Sequence, residues 1–232
     1  MNNKNLLILF SKWPDKTHSK SRISKDLGAE YIEDFCFACI DDLTRKLKTL
    51  RNMDVIIVPN TEKESELFFQ KYGIRSVSLE IMNVDYGGNR SFVFQELFEY
   101  FLRQYEKVSL IPMDVPHIEL SQIEKSFRQL ETFDQVFGPE ENGGVYLMGL
   151  KNGQNKVFND VRWSTENSFN DLIRNCKNAT ELDLSFDLNT FRDILRMKKE
   201  QLLGCPALTR FIKSVAQERT MMQKEVMMHE GN

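Results

Sequence analysis

The sequence predicts an α/β protein with a mainly parallel central sheet and helices on both of its faces. Apolar runs of strand length alternate along the chain with segments of helical periodicity, which is the pattern of such folds. The run at 108–111 is apolar on both faces of the strand that it predicts, which is typical of a buried parallel strand. With 232 residues, of which 41% are hydrophobic, the chain can build one compact core.

The N-terminal half of the chain alternates predicted strands and helices. Short apolar runs bounded by polar or turn-forming residues predict strands at 6–10, 54–59 and 76–81. Apolar residues near helical spacing predict helices at 30–50, 64–72 and 90–105. In the last of these helices, one apolar stripe is formed by Phe94, Leu97, Phe98, Phe101, Leu102 and Tyr105.

The C-terminal half continues the alternation. Strands are predicted at 107–113, 135–137, 145–150 and 181–184, and helices at 164–176 and 190–202. A further helix starting near Glu119 is marked by Leu120, Ile123, Phe127 and Leu130. Between two of the strands, Asn142-Gly143 is the dipeptide that type I′ hairpin turns prefer, while the pair Gly143-Gly144 would equally allow a ligand to approach the backbone.

Two units are predicted, a main domain at 1–203 and a C-terminal helical extension at 204–232. The extension is rich in methionine at its end and is striped by Leu208, Phe211, Ile212, Val215, Met222 and Val226. It either packs back on the domain or contacts a partner through adaptable Met side chains, as in a homodimer.

Composition excludes several classes of protein. A net charge of −3 and a pI near 5.8 give no global basic field that would recruit nucleic acid or an anionic membrane. The apolar runs are far shorter than the roughly 20 residues that cross a bilayer, and no signal-peptide pattern precedes the first strand, so a cytoplasmic location is expected. Cys36 and Cys39 have redox spacing, but they lie in a predicted helix and are interpreted as small buried residues.

Asp114 follows the predicted strand at 107–113 and precedes a turn-forming proline, Pro116. In open α/β sheets, ligands bind just outside the carboxyl ends of the strands. A carboxylate there can hold a hard cation and, through it, a phosphate group. The alternative is an aspartate that only caps the next helix.

The connection after the first strand is basic, with Lys12, Lys16, Lys20, Arg22 and His18. It contains no glycine, so it is neither a dinucleotide fingerprint nor a P-loop. Its side chains can bind a diphosphate or triphosphate, or it is an ordinary solvated loop. Near the end of the main domain, Asp187 and Asn189 can complete a cation site with Asp114, whereas Asn189 or Thr190 can instead cap the helix that follows.

Several motifs, in order along residues 5 to 197, carry a resemblance to a known family. They are Lys12-Trp13-Pro14 with Lys20-Ser21-Arg22, Met113-Asp114-Val115-Pro116, the block from Gly138-Pro139 through Asn142-Gly143-Gly144 to Gly149-Leu150, Arg162-Trp163-Ser164-Thr165, and Asp187-Leu188-Asn189-Thr190. The chain resembles the small bacterial glycosyltransferase-like proteins of the GT-A, or nucleotide-diphospho-sugar transferase, fold that are known as arsenosugar-type or DUF2064-like. It differs from them at Asn142 and Asn189, where the family has acids, and each change removes a negative charge that would favour a cation.

The resemblance implies a nucleotide or nucleotide-sugar donor, a small-molecule acceptor and a Mg²⁺ or Mn²⁺ ion. The residues implied in catalysis are Asp114, Lys20 and Arg22; those on the nucleotide phosphates are Lys12, Lys20, Arg22 and Asn89. The implied metal ligands are Asp114, Asp187 and Asn189, and the implied substrate-binding residues are Gly143, Gly144, Trp163, Ser164 and Thr165.

Three functions are consistent with these residues. Sugar transfer from a nucleotide-diphospho-sugar is favoured by a small margin, on the naming of the family. Nucleotidyl transfer from a nucleoside triphosphate, with release of pyrophosphate, fits the basic loop at Lys20 and Arg22. The third hypothesis is a nucleotide-binding or partner-binding protein in which Asn142 and Asn189 mark a loss of catalysis.

Overall fold

The sheet is mainly parallel, as predicted. The structure is a computed structural model that describes residues 4–15, 21–82, 89–151 and 156–230. Within these residues the strands are β1 (Asn5–Phe10), β2 (Asp54–Val58), β3 (Lys107–Pro112), β4 (Gln135–Pro139), β5 (Val145–Lys151) and β6 (Ala179–Glu181). Their order across the sheet is β2-β1-β3-β5-β4-β6, and β5 runs antiparallel to its neighbours β3 and β4 while the other pairs are parallel.

Helices cover both faces of the sheet. In the described residues they are α1 (Ser21–Leu27), α2 (Ile32–Leu47), α3 (Glu62–Tyr72), α4 (Arg90–Leu102), α5 (Leu120–Gln129), α6 (Ser168–Arg174), α7 (Phe191–Leu195), α8 (Lys199–Leu203) and α9 (Pro206–Glu230). Alternate residues of β1 enter two separate cores: Leu7 packs with the cluster that includes α2 and α9, and Leu6 with the cluster that includes α4. Both clusters are needed because a parallel strand presents apolar side chains to each face.

Four predicted elements have different bounds. Residues 76–81 form one bridge, Ile57 to Ser76, and then turn, because the Ser78 hydroxyl accepts the Ile81 N–H at 3.2 Å. The helix predicted at 164–176 begins only at Ser168, since Ser164 has a φ of 62°, which is incompatible with a helix. The strand predicted at 181–184 is Ala179–Glu181 instead, and the helix predicted at 190–202 is divided into α7 and α8 because Lys198 is extended.

The C-terminal helix α9 begins on a buried carboxylate. Asp42 of α2 accepts the backbone N–H groups of Ala207 at 3.1 Å and Leu208 at 2.9 Å, which satisfies donors that a helix start leaves unpaired. Leu208 and Val215 are buried in the core that also contains α2. The first half of the predicted extension therefore shares the core of the main domain.

Two further features bear on the predictions above. Cys36 and Cys39 are both free thiols buried in α2, as the packing interpretation predicts. Each helix in the described ranges is too short or too polar to span a lipid bilayer.

Candidate active site

Asp114 and Lys12 leave the carboxyl edge of the sheet side by side. The parallel pairing of β1 and β3 sets Phe10 opposite Pro112. One residue farther, the Ser11 hydroxyl lies 3.4 Å from the Met113 sulfur, so the two connections are still in contact. Lys12 and Asp114 each come one residue later. Asp114 does not cap α5, whose N-cap position is Glu119.

The segment from Asp187 to Asn189 is fixed beside Asp114. The backbone N–H of Leu188 donates to the backbone carbonyl of Asp114 at 2.9 Å. Thr190 caps α7 in a reciprocal bond with Asp193, and the backbone N–H of Asn189 also donates to the Asp193 carboxylate, at 3.1 Å. Thr190 is therefore the helix cap, as one of the two interpretations predicts. The late motif and Asp114 are neighbours in the fold.

Asn142, Asp187 and Asn189 form one hydrogen-bonded cluster. The Asn142 amide donates to Oδ1 of Asp187 at 3.1 Å, and the Asn189 amide donates to Oδ2 of the same carboxylate. On its other side, the Asn142 amide oxygen accepts the Gly144 N–H at 2.8 Å. The turn between β4 and β5 is thus joined to the segment before α7.

The glycine pair belongs to this β4–β5 hairpin turn. Gly143 has a φ of 81°, and a Cβ there would lie 2.1 Å from the Glu166 carbonyl oxygen. A Cβ at Gly144 would lie 2.3 Å from the Glu140 carboxylate. Gly143 is needed because a side chain there would meet the Glu166 backbone, and the hairpin turn is confirmed. The turn is not the predicted type I′, since Asn142 lacks the positive φ that this type requires. The role of the two glycines in binding substrate stays a prediction.

The loop at 163–165 is held against the start of α4. The Trp163 indole N–H donates to the Ser91 hydroxyl at 2.8 Å, and its ring packs 5.0 Å from the ring of Phe94. Ser164 keeps its left-handed backbone while its hydroxyl accepts from the Arg90 guanidinium at 2.6 Å. Thr165 donates to the backbone carbonyl of Arg162 at 2.7 Å.

A buried carboxylate supports this loop. Asp171 of α6 accepts from the Arg162 guanidinium through both oxygens at 2.8 Å, and from Arg174 at 2.8 Å. The hydrogen bonds from Arg162 hold the pKa of Asp171 well below its usual range. Asp171 is therefore a charged anchor for the segment that leads into the loop.

The structure describes three of the four residues that are predicted to bind phosphate. Lys20 lies outside the described residues. Arg22 is exposed on the first turn of α1, one turn before Asp26, which accepts the N–H of Phe191 at 3.0 Å. Residues four apart share a helix face, so Arg22 is on the side of α1 that meets the start of α7. Asn89 caps α4 by accepting the Phe92 N–H at 3.2 Å, a structural role.

Sequence reasoning missed a stack of three side chains next to this cluster. His117 stacks on Phe186 with ring centroids 4.3 Å apart, and the Arg196 guanidinium lies 3.9 Å from the Phe186 centroid. Arg196 also pairs with Glu141 of the hairpin turn. Burial lowers the pKa of His117 to about 4, so it is neutral near pH 7. The one sequence signal was the position of His117 directly after Pro116.

The residues predicted as metal ligands do not fit a divalent cation at Asp187. Both carboxylate oxygens of Asp187 accept amide N–H groups, and these groups offer no lone pair to a cation. Throughout the described ranges, no group of three or more His, Cys, Asp and Glu side chains is arranged to hold a metal ion. Of the ligand set that the resemblance implies, Asp187 and Asn189 do not fit a cation in this arrangement, and the role of Asp114 stays a prediction.

Residues 43–165 match the family described as uncharacterized protein conserved in bacteria (DUF2064). The chain belongs to this family. The matched region contains Asp114, the glycine pair and the loop at 163–165, while Lys12 and Asp187 lie outside it. This confirms the resemblance inferred from the motifs.

The curated relatives align with this chain over only part of their own length. The chain is 26% identical over 132 residues to the 2-phospho-L-lactate guanylyltransferase of Methanocaldococcus sp. (strain FS406-22), which is 57% of this chain and 53% of that protein. It is 27% identical to the protein of the same name from Methanocaldococcus fervens, over 57% and 56% of the two chains. The match thus spans about half the length of these relatives.

Solved structures share the fold. A Desulfovibrio desulfuricans G20 protein described as a nucleotide-diphospho-sugar transferase superposes with a TM-score of 0.77 at 18% identity, over 93% of this chain and 98% of that one. Molybdopterin-guanine dinucleotide biosynthesis protein A from Archaeoglobus fulgidus gives a TM-score of 0.51 at 12% identity, over 83% and 95%. The predicted nucleotide-diphospho-sugar transferase fold is confirmed.

Proposed function

We propose that this protein is a nucleotide-dependent transferase that moves a nucleotidyl group from a nucleoside triphosphate to a small acidic acceptor. The observation that carries the proposal is the shared exit of Lys12 and Asp114 from the carboxyl edge of β1 and β3, next to the Ser11–Met113 contact. Ligands of open α/β sheets bind at this edge. The comparisons agree with the predicted class of nucleotide-dependent transferases.

The basic side chains would do the electrostatic part of the reaction. Transfer at a phosphorus depends mainly on positioning and on stabilising the charge of the departing group. Lys12 follows β1, Arg22 lies on the face of α1 that meets α7, and Lys20 is assigned to the same task by the resemblance. Their positive charges would hold the phosphates and stabilise the pyrophosphate that leaves. A Mg²⁺ or Mn²⁺ ion at Asp114 remains a prediction, and no step above depends on it.

Nucleotidyl transfer is preferred over sugar transfer because the curated relatives are named for guanylyl transfer to 2-phospho-L-lactate. The naming of the family favours sugar transfer by a small margin, whereas the basic loop at Lys20 and Arg22 fits nucleotidyl transfer. Both reactions use a donor with a nucleoside bound to phosphates, so the same edge of the sheet would serve either one.

The surroundings of the loop at 163–165 support an acidic acceptor. The Arg90 guanidinium lies at this loop, where it reaches the Ser164 hydroxyl at 2.6 Å. Guanidinium groups bind carboxylates and phosphates through paired hydrogen bonds. Ser164 is held at a positive φ, a conformation that non-glycine residues adopt mainly at functional or tightly constrained positions.

A product assay tests the proposal. The protein is incubated with GTP, CTP, ATP or UTP and, separately, with nucleotide-sugars, each with a panel of small phosphorylated and carboxylic acids in the presence of Mg²⁺. We expect pyrophosphate release that requires an acceptor and falls at least about 100-fold in Lys12→Ala, which removes a positive charge from the departing phosphates. Release of a nucleoside diphosphate from a nucleotide-sugar would instead establish sugar transfer. No product from any donor, with binding retained, would support the non-catalytic hypothesis.

A further inference from the structure

We propose that the amides of Asn142 and Asn189 take the place of a divalent cation at Asp187, so that the folded protein binds no metal ion there. One amide N–H reaches each oxygen of the Asp187 carboxylate, at 3.1 Å from Asn142 and in a shorter bond from Asn189. The two donors come from different parts of the chain, the β4–β5 turn and the segment before α7. The carboxylate therefore joins the two segments as a bound cation would.

The orientation of both amides follows from their partners. An ionised carboxylate only accepts hydrogen bonds, so each asparagine must present its NH₂ group to Asp187. The opposite side of the Asn142 amide is fixed as well, because its oxygen accepts the Gly144 N–H at 2.8 Å. Turning the Asn142 oxygen toward a cation would break both bonds at once. The backbone of Asn189 is fixed by its bond to Asp193.

Charge distinguishes this cluster from a cation site. Hard divalent ions bind oxygen ligands, and their affinity rises with the number of carboxylates. An aspartate at 142 or 189 would set a second carboxylate against Asp187, and this repulsion would be relieved by a cation between them. With asparagine at both positions, Asp187 is the one charged group of the three, and two neutral amide groups donate to it.

The two asparagines act on the same carboxylate, one on each oxygen. We infer that the hairpin turn and the approach to α7 keep their arrangement without a divalent ion. This inference concerns the ion alone and holds whichever group the protein transfers.

The test measures Mn²⁺ binding to the nucleotide-free protein by electron paramagnetic resonance. Asn142→Asp, Asn189→Asp and the double variant are compared with the native chain, and Asn52→Asp, which adds the same charge at an exposed position, is the control. We expect the double variant to bind Mn²⁺ at least about tenfold more tightly than the native protein, and the control to match the native protein. We also expect Mn²⁺ to change the melting temperature of the native protein and of Asp187→Asn by the same amount.

Two results would overturn the proposal. One is native Mn²⁺ binding that is lost in Asp187→Asn, since this would assign Asp187 to a standing metal site. The other is a folded double variant with native Mn²⁺ affinity. If the acidic variants do not fold, the comparison of the native protein with Asp187→Asn still decides. Because no nucleotide is present, neither result depends on the proposed transferase activity.

Discussion

His117 is the buried ionisable residue at the candidate site whose protonation state has the clearest consequence for stability. It lies three residues after Asp114 and stacks on Phe186, which also contacts Arg196. Burial lowers its pKa from 6.5 to about 4, and the nearby positive charge of Lys46 acts in the same direction. The folded state therefore prefers the neutral imidazole.

This preference predicts an acid-sensitive fold. Because the folded pKa lies below the unfolded one, the stability contributed by neutral His117 is complete above about pH 6.5 and is lost as the pH falls toward about 4. The shift corresponds to roughly 3 kcal/mol of unfolding free energy. Urea unfolding at pH 7.5 and pH 4.5 measures it, and His117→Leu is expected to lose less stability over this interval than the native protein. Equal losses in the two proteins would contradict the assignment.

At the scale of residues, the sequence predicted where functional residues lie relative to strands and helices better than it predicted their hydrogen-bond and stacking partners. The place of Asp114 after a buried strand and the cap at Thr190 follow from local patterns, and both are observed. The bonds from Asn142 and Asn189 to Asp187 join residues up to 45 positions apart. The stack of His117 on Phe186 joins residues that are even farther apart in the sequence. Contacts of this kind depend on how the loops pack, which no local pattern encodes.

Among the elements, α9 shows what the periodicity of apolar residues can predict and what it cannot. Its apolar stripe predicts a helix but leaves open which surface the helix covers. In the structure Phe211 packs on Phe35 with ring centroids 5.9 Å apart, and Arg219 donates to the carbonyl of Leu27 at 2.7 Å. The interpretation that α9 packs back on the domain is borne out for its first half. The predicted partner contact through Met222 falls on side chains outside the described part of the structure.

Two truncations test whether the extension is separable. A chain ending at residue 203 loses the buried Leu208, Phe211 and Val215, each of which contributes about 1.5–3 kcal/mol of burial. Their sum is comparable with the whole stability of an ordinary domain, so we expect this chain to lack a cooperative thermal transition. A chain ending at residue 220 keeps these contacts and is expected to melt close to the full chain. Circular dichroism melting distinguishes them, and a stable chain of residues 1–203 would instead support two separate units.

The boundaries of short elements were the least predictable feature at this scale. Residues 164–176 have helical periodicity, but the positive φ of Ser164 and the bond from Arg90 delay the helix to Ser168. Likewise, the buried Met197 and the extended Lys198 separate α7 from α8 within an apparently continuous pattern. Tertiary contacts at single positions override the local preference in both cases.

At the scale of the whole molecule, alternation of strands and helices was enough to predict the fold class. The antiparallel β5 was not distinguished from its parallel neighbours, although the Asn142-Gly143 turn indicated the hairpin that contains it. The strand order then brings the ends of β1 and β3 together, and with them Lys12 and Asp114. The candidate site is thus a consequence of topology. Local patterns placed Asp114 and the basic loop each after a strand, and only the resemblance assigned them to one site.

The central claim is that nucleotide phosphates bind at the carboxyl edge of the sheet, and one binding measurement tests it most directly. Thermal unfolding is followed with GTP, CTP, ATP, UTP and nucleotide-sugars for the native protein, Lys12→Ala and Lys4→Ala. Lys4 is a matched control, since it precedes β1 and pairs with Glu106 at the opposite edge. A ligand at about 100 times its Kd is expected to raise the melting temperature by about 5–10 °C.

We predict that at least one nucleotide shifts the native protein and Lys4→Ala equally, and that the shift is mostly lost in Lys12→Ala. A shift of the same size in all three proteins would move the phosphates away from this edge of the sheet. The absence of any shift in the native protein would contradict nucleotide binding itself.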